Sequence, residues 1–446
     1  MIKTFRHRGF SLIELMIAMV IGLLLVIGIT SLFTTTSGIN RMENGLARLQ
    51  ENGRFALDRI AEDIRMASAT RGTRKASEGG GGNRVNPDRP ILSFADFGST
   101  DLRQTGLPGA SESGVTGGRY FISPAFMVRG TECRTSCSPA NIAVPNRGWD
   151  TFNVAGFGPV PDVGTTAGSR AAGADVLTLR YLRGVGVPLA VRFVGVIDNN
   201  AIILNSPLTV GPSRILVMGD YATTAFVPVT ASGTASSFVG GGASLLADAQ
   251  APSFDVFNDV RVSDFDTDFV TVSYYLRLEN DPSRPGRMIS ALRRRENGID
   301  VSIAEGIERL DFLYHVEDRA GNVRPMTADQ VATATNCPDP SMNPPLSAGA
   351  AALDLANCGW RSVRAIEVYL LANTIDDAGE RQESYQYGFL ANGTANTANA
   401  VEVACDPQYN SSCPAGAVQV LPSGLPPGRM LRREFRTVVA LRNNAY

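Results

Sequence analysis

The residue best suited to proton transfer in this chain is His315, one of two histidines among 446 residues. A general base needs its partners within hydrogen-bond reach, and no serine or cysteine motif accompanies His315 in the sequence. Nor does the sequence contain a nucleophile elbow, a zinc-binding His-Glu helix or a dinucleotide fingerprint. His315 follows the strand-like run 310–314, so we interpret it as a half-buried or surface strand residue. The sequence therefore predicts a non-enzymatic protein without a catalytic site or a cofactor.

Three alternating acids, Asp264-Phe-Asp266-Thr-Asp268, are the second candidate for chemistry, because this spacing is typical of calcium-binding loops. The pattern fails at its sixth position, where Phe269 replaces glycine, and at its twelfth, where Tyr275 replaces glutamate. We interpret the acids as solvated strand-edge carboxylates and predict no metal site. A calcium site of another loop type stays open as the alternative.

Glu14 is the one ionisable side chain between Phe10 and Phe33. A helix over 10–33 spans about 36 Å, enough to cross a hydrocarbon core of about 30 Å. A carboxylate near the membrane centre costs at least about 2.5 kcal/mol, so Glu14 needs a partner. The short basic stretch before the segment holds the N-terminus on the cytoplasmic side. The sequence thus predicts a transmembrane segment over 10–33.

The N-terminus has a basic leader, then Gly9-Phe10-Ser11-Leu12-Ile13-Glu14-Leu15, then the apolar helix, an order that resembles the class III signal of type IV pilins and pseudopilins. An ordinary secretory signal would have small residues at a cleavage site after Phe33, and a plain signal anchor would not require Glu14. The resemblance implies that a prepilin peptidase cuts between Gly9 and Phe10, removing residues 1–9, and that Phe10 is then N-methylated. It also implies that Glu14 neutralises the terminal amine of a neighbouring subunit.

Cysteines are the remaining reactive residues, and there are six of them: Cys133, Cys137, Cys337, Cys358, Cys405 and Cys413. With a cytoplasmic N-terminus, everything after the membrane segment lies in an oxidising compartment, where cysteines form disulfides. Fifteen connectivities are possible, and pairing of sequence neighbours is the simplest guess. The spacing of Cys133 and Cys137 also occurs in zinc sites, which need a second ligand pair that the sequence does not supply.

Apolar and small residues continue the helical pattern beyond the membrane segment at steps of three and four. They are Ile39, Met42, Leu46, Leu49, Gly53, Ala56, Ile60 and Ile64. The opposite face is charged, with Arg41, Glu51, Arg54, Asp58, Glu62 and Arg65. The pattern predicts a single helix of about 60 residues, transmembrane over 10–33 and amphipathic over 34–68, with its apolar stripe packed on a globular head.

The head, residues 69–446, contains short alternating runs between turn residues. Strands are predicted at 176–181, 189–194, 201–204, 214–218, 225–229, 270–278, 288–293, 309–315, 363–372 and 435–441. We interpret 302–305 as a turn, and long irregular stretches are expected at 95–118, 131–170, 232–252, 327–360 and 392–427. The predicted fold is α+β, a long pilin-type helix on a large antiparallel β-rich head.

Six blocks spread along the chain are similar to the PilW family of minor type IV pilins. The blocks in the head are specific to this family only when they are taken together. They are LQENGRFALD at 49–58, DIRMA at 63–67, ADVLTLRY at 174–181, IAEGIERLDFLY at 303–314, SVRAIEVYLL at 362–371 and RREFRTVVALRN at 432–443. One departure is Ser31, which stands where many pilins have a proline in the transmembrane helix. No locally melted helix segment is therefore expected at that site.

The resemblance implies a minor pilin that is held in the inner membrane with a periplasmic head, primes pilus assembly and then sits in the tip complex at the cell surface. Its implied partners are other minor pilins, the major pilin, the prepilin peptidase, the inner-membrane assembly machinery and a tip adhesin, with roles in adhesion and twitching motility. A large head fits the tip best, because heads in the shaft must pack side by side. The rival is a J-type pseudopilin of a type II secretion system, which shares the N-terminus and a large β-rich head.

A lone membrane-anchored receptor is a further possibility, but it would need no Glu14. A DNA-uptake pilin is the rival from a different functional class, and the charge argues against it. The formal net charge is −2, and without the three basic leader residues 38 lysines and arginines face 43 acidic residues. This balance gives no general attraction to phosphates, so no nucleic-acid partner is predicted. The run Arg293-Arg294-Arg295 is interpreted as a solvated strand end, with a local contact to phosphates as the alternative.

Overall fold

The computed structural model describes residues 11–68, 91–92, 127–133, 137–138, 160–190, 201–212, 214–219, 224–239, 260–318, 320–334, 358–377, 385–387, 389, 401–403, 425 and 429–442. Within these ranges the chain forms one long helix and a head built of antiparallel sheets. The predicted α+β class is confirmed.

Helix α1 runs without interruption over Leu12–Met66. Its N-cap is Ser11, whose hydroxyl oxygen accepts a hydrogen bond from the backbone N–H of Glu14 at 3.2 Å. The C-cap is Ala67, whose N–H donates to the carbonyl of Ile64 at 3.1 Å. No proline occurs in the 55 residues of the helix, so the backbone hydrogen bonds continue through Ser31.

The head contains short helices and many strands. The helices are α2 Phe265–Asp268, α3 Ala328–Thr333 and α4 Cys358–Arg361. The strands are β1 Ile91–Leu92, β2 Val128–Cys133, β3 Cys137–Ser138, β4 Val176–Leu182, β5 Val187–Pro188, β6 Ala201–Val210, β7 Ile215–Gly219, β8 Thr224–Pro228, β9 Gly233–Val239, β10 Arg261–Asp264, β11 Phe269–Asn280, β12 Met288–Glu296, β13 Ile299–Glu305, β14 Ile307–Glu317, β15 Val323–Met326, β16 Val363–Asn373, β17 Tyr385–Tyr387, β18 Val401–Val403 and β19 Arg432–Ala440.

These strands form three larger sheets and two ribbons. The six-stranded sheet has the order β13-β12-β11-β4-β2-β3, and the four-stranded sheet has the order β15-β14-β16-β19. A five-stranded sheet has the order β1-β8-β7-β10-β5, and the ribbons are β6-β9 and β17-β18. Among the described pairs, β1 and β8 are parallel and the others are antiparallel.

The C-terminal half of α1 packs against the six-stranded and four-stranded sheets, with which it shares one hydrophobic core. The predicted stripe is buried from Leu49 onward, whereas Ile39 remains 46% exposed. Gly53 lies against the ring of Phe435 on β19, so closely that a Cβ atom would overlap the ring. A glycine in the stripe therefore lets the helix approach the sheet at this point.

Gly306 forms the corner between β13 and β14, where the chain passes from the six-stranded to the four-stranded sheet. Its φ of +77° lies in the left-handed region, and an added Cβ would approach the carbonyl oxygen of Asn373 to 2.9 Å. The Gly306 N–H donates to the carbonyl of Ser290, and its own carbonyl accepts from the N–H of Asn373. This one residue thus joins both sheets.

Most of a separate packing unit is inserted between β4 and β11, and one strand of it, β1, comes from earlier in the chain. It consists of β5 to β10 with β1, and its own core includes Ile202, Leu216, Phe238 and Val262. Both connections leave the end of the six-stranded sheet that lies beside the C-terminus of α1, where Arg183 N–H donates to the Asp268 carbonyl at 2.7 Å. We call this the distal unit, because it lies at the end of α1 farthest from the apolar segment.

Most predicted strands are found with their ends shifted by a few residues. The predicted strand at 189–194 is an exception, since β5 covers Val187–Pro188, Leu189 forms an isolated bridge with Leu204, and residues 191–194 lie outside the described ranges. The turn predicted at 302–305 is wrong, because these residues belong to β13 and the turn residue is Gly306.

Four of the stretches expected to be irregular contain secondary structure. The end of β2 and the whole of β3 fall in 131–170, β9 falls in 232–252, α3 and part of α4 fall in 327–360, and β18 falls in 392–427. These elements are short or rich in small polar residues, which weakens the hydrophobic alternation on which strand prediction depends. The stretch 95–118 lies outside the described ranges.

Candidate assembly site

The N-terminal half of α1 presents an apolar surface that nothing else in the described part of the chain covers. Every large apolar side chain from Leu12 to Phe33 is more than half exposed. By its length and its apolar composition, the helix can cross a membrane. A soluble head does not leave such a surface in water, so the segment requires a lipid or protein environment.

Glu14 lies in the first turn of α1, and its side chain is exposed on this apolar surface. The first turn also holds the backbone N–H groups that have no partner within the helix, apart from the one that Ser11 caps. Gly9 and Phe10, the residues of the predicted cleavage and methylation, lie outside the described ranges.

Between Phe33 and Leu49, α1 belongs neither to the exposed apolar segment nor to the buried core of the head. Sixteen residues of helix correspond to about 24 Å. Where α1 leaves the apolar segment, the hydroxyls of Thr30, Thr34 and Thr35 donate to backbone carbonyls one turn earlier, at 2.7 to 2.9 Å. The hydroxyls are thereby satisfied within the helix itself, which suits a segment that emerges from an apolar environment.

A buried carboxylate fastens α1 to the head. Asp63 is 2% exposed and accepts hydrogen bonds from Tyr181 at 2.8 Å and Tyr274 at 2.5 Å. Arg294 donates to both of its oxygens, from Nε at 2.6 Å and from Nη2 at 3.1 Å. Three strands, β4, β11 and β12, thus supply one donor residue each to the helix. We call Asp63, Tyr181, Tyr274 and Arg294 the helix joint.

The electrostatics of the helix joint favour the ionised pair. Burial alone would raise the pKa of Asp63, but the hydrogen bonds from Arg294 and Tyr274 outweigh it, so this pKa lies below its ordinary value. Burial and the neighbouring carboxylate raise the pKa values of Tyr274 and Tyr181, which therefore remain hydrogen-bond donors. Burial would lower the pKa of Arg294, yet its bonds to Asp63 raise it.

The interpretation of Arg293-Arg294-Arg295 as a solvated strand end is wrong for its first two members. Arg293 is 8% exposed and binds Glu279 and Asp300, and Arg294 is 6% exposed and binds Glu296 as well as Asp63. Both guanidinium groups are committed to internal ion pairs. They are not presented to phosphates.

The sequence contains a signal for Asp63 that the prediction of the charged helix face missed. Asp63 follows Ile60 by three residues, which places it beside the apolar stripe rather than on the charged face. Its partner Arg294 is 231 residues away along the chain, and no local pattern connects the two.

A second buried carboxylate, Asp175, joins the two main sheets. Its oxygens accept from the backbone N–H of Cys133 on β2 at 2.8 Å and of Phe312 on β14 at 3.1 Å. Burial, with the nearby Glu132 and Asp311, raises the pKa of Asp175 well above its ordinary value. This residue holds the edge of β2 against β14, and like Asp63 it has a structural role.

The cysteines are described only in part. The register of β2 and β3 places Cys133 directly opposite Cys137, as pairing of sequence neighbours requires. Cys337, Cys405 and Cys413 lie outside the described ranges, as do the side chains of Cys137 and Cys358. The pairing remains a prediction.

The other candidates for chemistry have structural surroundings. His315 is half-buried on β14, and its Nε2 lies 3.2 Å from Glu367, so its interpretation as a strand residue is confirmed. Asp264, expected to be solvated, is instead buried, where it caps α2 by accepting from Thr267 N–H at 3.0 Å and also accepts from Gly211 N–H. In the described part of the chain, no group of three or more His, Cys, Asp or Glu residues is arranged to hold a metal.

Comparison with known families gives two matches. Residues 280–443 match the model of the type IV pilus-assembly protein W, and residues 4–30 match the prokaryotic N-terminal methylation motif. The first match begins at the end of β11 and covers the four-stranded sheet, and the second covers Gly9, Phe10 and Glu14. No curated protein and no solved structure shows significant similarity to the chain.

Together the matches and the exposed apolar helix support a membrane-anchored, structural protein of the type IV pilus machinery with a minor-pilin-like role. The distal unit lies outside both matched regions. The resemblance of this chain to the PilW family of type IV pilus-assembly proteins, behind a prepilin-type N-terminus, is confirmed.

Proposed function

We propose that this chain is a minor pilin of the inner membrane that primes assembly of a type IV pilus and remains in the complex at its tip. The observation that carries the proposal is the unbroken helix α1, apolar and exposed over its first half and fastened to a large head over its second. Such a subunit can leave the membrane only by exchanging lipid for the helices of other subunits.

Glu14 is the residue that directs this exchange. Cleavage after Gly9 would create a free, methylated amine at Phe10, one turn before Glu14. A carboxylate and an ammonium group in an apolar medium neutralise each other best when they come from neighbouring subunits, which offsets the cost of each charge. Docking through this pair would place the new subunit in register with its neighbour.

The size of the head supports a position at the tip. The distal unit extends the head at the end of α1 that lies farthest from the membrane, the side on which a shaft subunit would meet the next subunit above it. At the tip this side is free to contact other minor pilins or an adhesin. We also propose disulfides between Cys133 and Cys137, Cys337 and Cys358, and Cys405 and Cys413, each closing a local loop.

Replacing Glu14 by Ala tests the docking role. We expect the full-length variant to reach the membrane at the wild-type level but to be at least about tenfold depleted from sheared fibres, because one uncompensated charge in an apolar medium costs more than about 2 kcal/mol. Glu51→Ala, which removes an exposed glutamate from the charged face of the same helix, is the matched control and should leave incorporation unchanged. Equal incorporation of both variants would contradict the proposal.

Mass spectrometry of the N-terminal peptide, measured in fibres and in membranes, tests processing and location together. A peptide that begins at N-methylated Phe10 is expected in both fractions. Its absence from fibres would favour the pseudopilin alternative, and the neighbouring genes, pilin or secretin-system, would then decide between the two. An intact leader in both fractions would refute the pilin assignment.

A further inference from the structure

Sheet edges in the described part of this head are protected against pairing with other chains, with one exception. An exposed edge strand offers unpaired N–H and C=O groups, and natural proteins block such edges with charges, prolines, bulges or short strands. Among the described strands, β1, β3 and β5 have two residues each, and β17 and β18 have three. Of the longer edges, β13 and β19 carry charged residues and β15 carries Arg324 and Pro325.

The exception is β9, Gly233–Val239, an edge of the ribbon β6-β9 in the distal unit. Its seven residues, GTASSFV, include no charge and no proline, and five of them are exposed. The last residue is engaged, because the Val239 carbonyl accepts from the N–H of Thr230 at 2.9 Å and from its hydroxyl at 3.3 Å, so the unprotected part of the edge is 233–238. The opposite edge of the same ribbon is protected, because β6 contains Pro207 and a register shift between Ile203 and Leu208. The backbone of β6 is also engaged, since Ala190 N–H donates to the Ile203 carbonyl at 2.9 Å.

The side chains of the ribbon also suit a partner strand. Its inner face is packed on the five-stranded sheet through Ile202, Leu204 and Phe238, which holds β9 in an extended conformation. The outer face carries Ile203, Ser237 and Val239, apolar and hydroxyl side chains that are exposed. Neither β6 nor β9 contains an ionisable side chain, so a partner strand needs no complementary charge and would bury none.

We propose that β9 is a docking edge for an extended, uncharged strand of another protein at the fibre tip, added to the ribbon through main-chain hydrogen bonds. The occupant must be a peptide segment, because the unpaired groups of a strand edge are satisfied by another strand. The location at the distal end of the head makes a protein above this subunit the occupant, and in this respect the inference rests on the proposed tip position. The distal unit lies outside the family-matched residues, so this edge belongs to the chain and not to the matched region.

Photo-crosslinking in cells that assemble fibres tests the proposal. The full-length chain carries benzoylphenylalanine in place of Ser237 on β9 or, as the control, in place of Asn205 on β6, both exposed positions. After irradiation, adducts are purified from fibres and from membranes and identified by mass spectrometry. We expect Ser237 to give an adduct with one other protein at an extended, uncharged segment, and Asn205 to give none.

A charged residue introduced on the β9 edge provides the second test. Ser236→Lys should lower the yield of the Ser237 adduct by about tenfold, because a lysine on an edge strand opposes pairing, while Asn205→Lys should leave it unchanged. An adduct between two copies of this chain, an unchanged yield with Ser236→Lys, or no adduct in either fraction would overturn the proposal. If the chain were absent from fibres, the proposed tip position would be contradicted. The adduct measured in membranes would still show whether β9 binds a strand of another protein.

Discussion

Asp63→Asn is the sharpest test of how the helix is held by the head. The change keeps the shape of the side chain but removes its negative charge. Four hydrogen bonds are donated to this carboxylate, two of them by Arg294. Removing one partner of a buried ion pair costs about 3 to 5 kcal/mol. Arg294 retains Glu296 as a partner at 2.5 Å, so we expect the lower end, a loss of about 3 kcal/mol in the free energy of unfolding.

The measurement is denaturant unfolding of the full-length chain in detergent micelles, followed by tryptophan fluorescence, to which the fully buried Trp360 contributes together with Trp149. Glu62→Gln is the matched control, since it alters the adjacent helix residue, whose side chain is 63% exposed and paired with Arg59. A surface pair of this kind contributes less than about 1 kcal/mol, so the control should barely change stability. A loss below about 1 kcal/mol for Asp63→Asn, or equal losses in both variants, would refute the role assigned to the helix joint.

The pH dependence of the free energy of unfolding, compared between wild type and Asp63→Asn, measures the contribution of the Asp63 charge independently. The pKa of Asp63 is lowered in the folded chain, so its contribution is complete above the unfolded-state value of about 3.9 and is lost as the pH falls through the folded value. The stability difference between wild type and Asp63→Asn should therefore be constant between about pH 8 and pH 5 and shrink below about pH 4. If the stability difference did not change even below about pH 4, packing and not charge would explain the lower stability of Asp63→Asn.

Two glycine substitutions test the packing of the same core by unfolding in micelles. Gly53→Ala should lower the free energy of unfolding by about 1 to 3 kcal/mol, because the new methyl group overlaps the ring of Phe435. Adding Phe435→Leu to the same chain should restore part of this stability, whereas additive losses would contradict the contact.

Gly306→Ala should lower the free energy of unfolding more than Gly321→Ala does. Both glycines have a positive φ, but only a Cβ at Gly306 would meet neighbouring atoms. Equal losses would show that backbone strain matters and crowding does not.

The sequence was informative where side-chain periodicity reports burial. The stripe from Leu49 to Ile64 predicted the buried face of α1, and long alternating runs predicted β4, β11, β14 and β16, because these strands lie in the core on at least one face. It failed at 302–305, where an edge strand is held by backbone hydrogen bonds to β12 and its side chains are free to be polar.

The interior ion pairs could not be predicted from the sequence for a related reason. A charged residue is solvated by default, and only the fold shows that Arg294 meets Asp63, or that Asp264 caps α2 from a buried position. For the assembly site the situation is reversed. The chemistry expected of Gly9, Phe10 and Glu14 depends on residues that are adjacent in the sequence, so a local pattern is enough to suggest it. The distal unit and its unprotected edge depend instead on strands that are far apart along the chain.

The helix joint and the distal unit are connected through two strands, β4 and β11. Tyr181 on β4 is followed by Leu182, after which the chain enters the distal unit, and β11, which carries Tyr274, begins where the chain returns. The two strands that anchor the distal unit are therefore the two that donate tyrosine hydroxyls to Asp63 on α1. β4 and β11 therefore link Asp63 on α1 directly to the two connections of the distal unit. The proposed tip position and the proposed docking edge both depend on this connection, because it joins the distal unit to the head beside the C-terminus of α1.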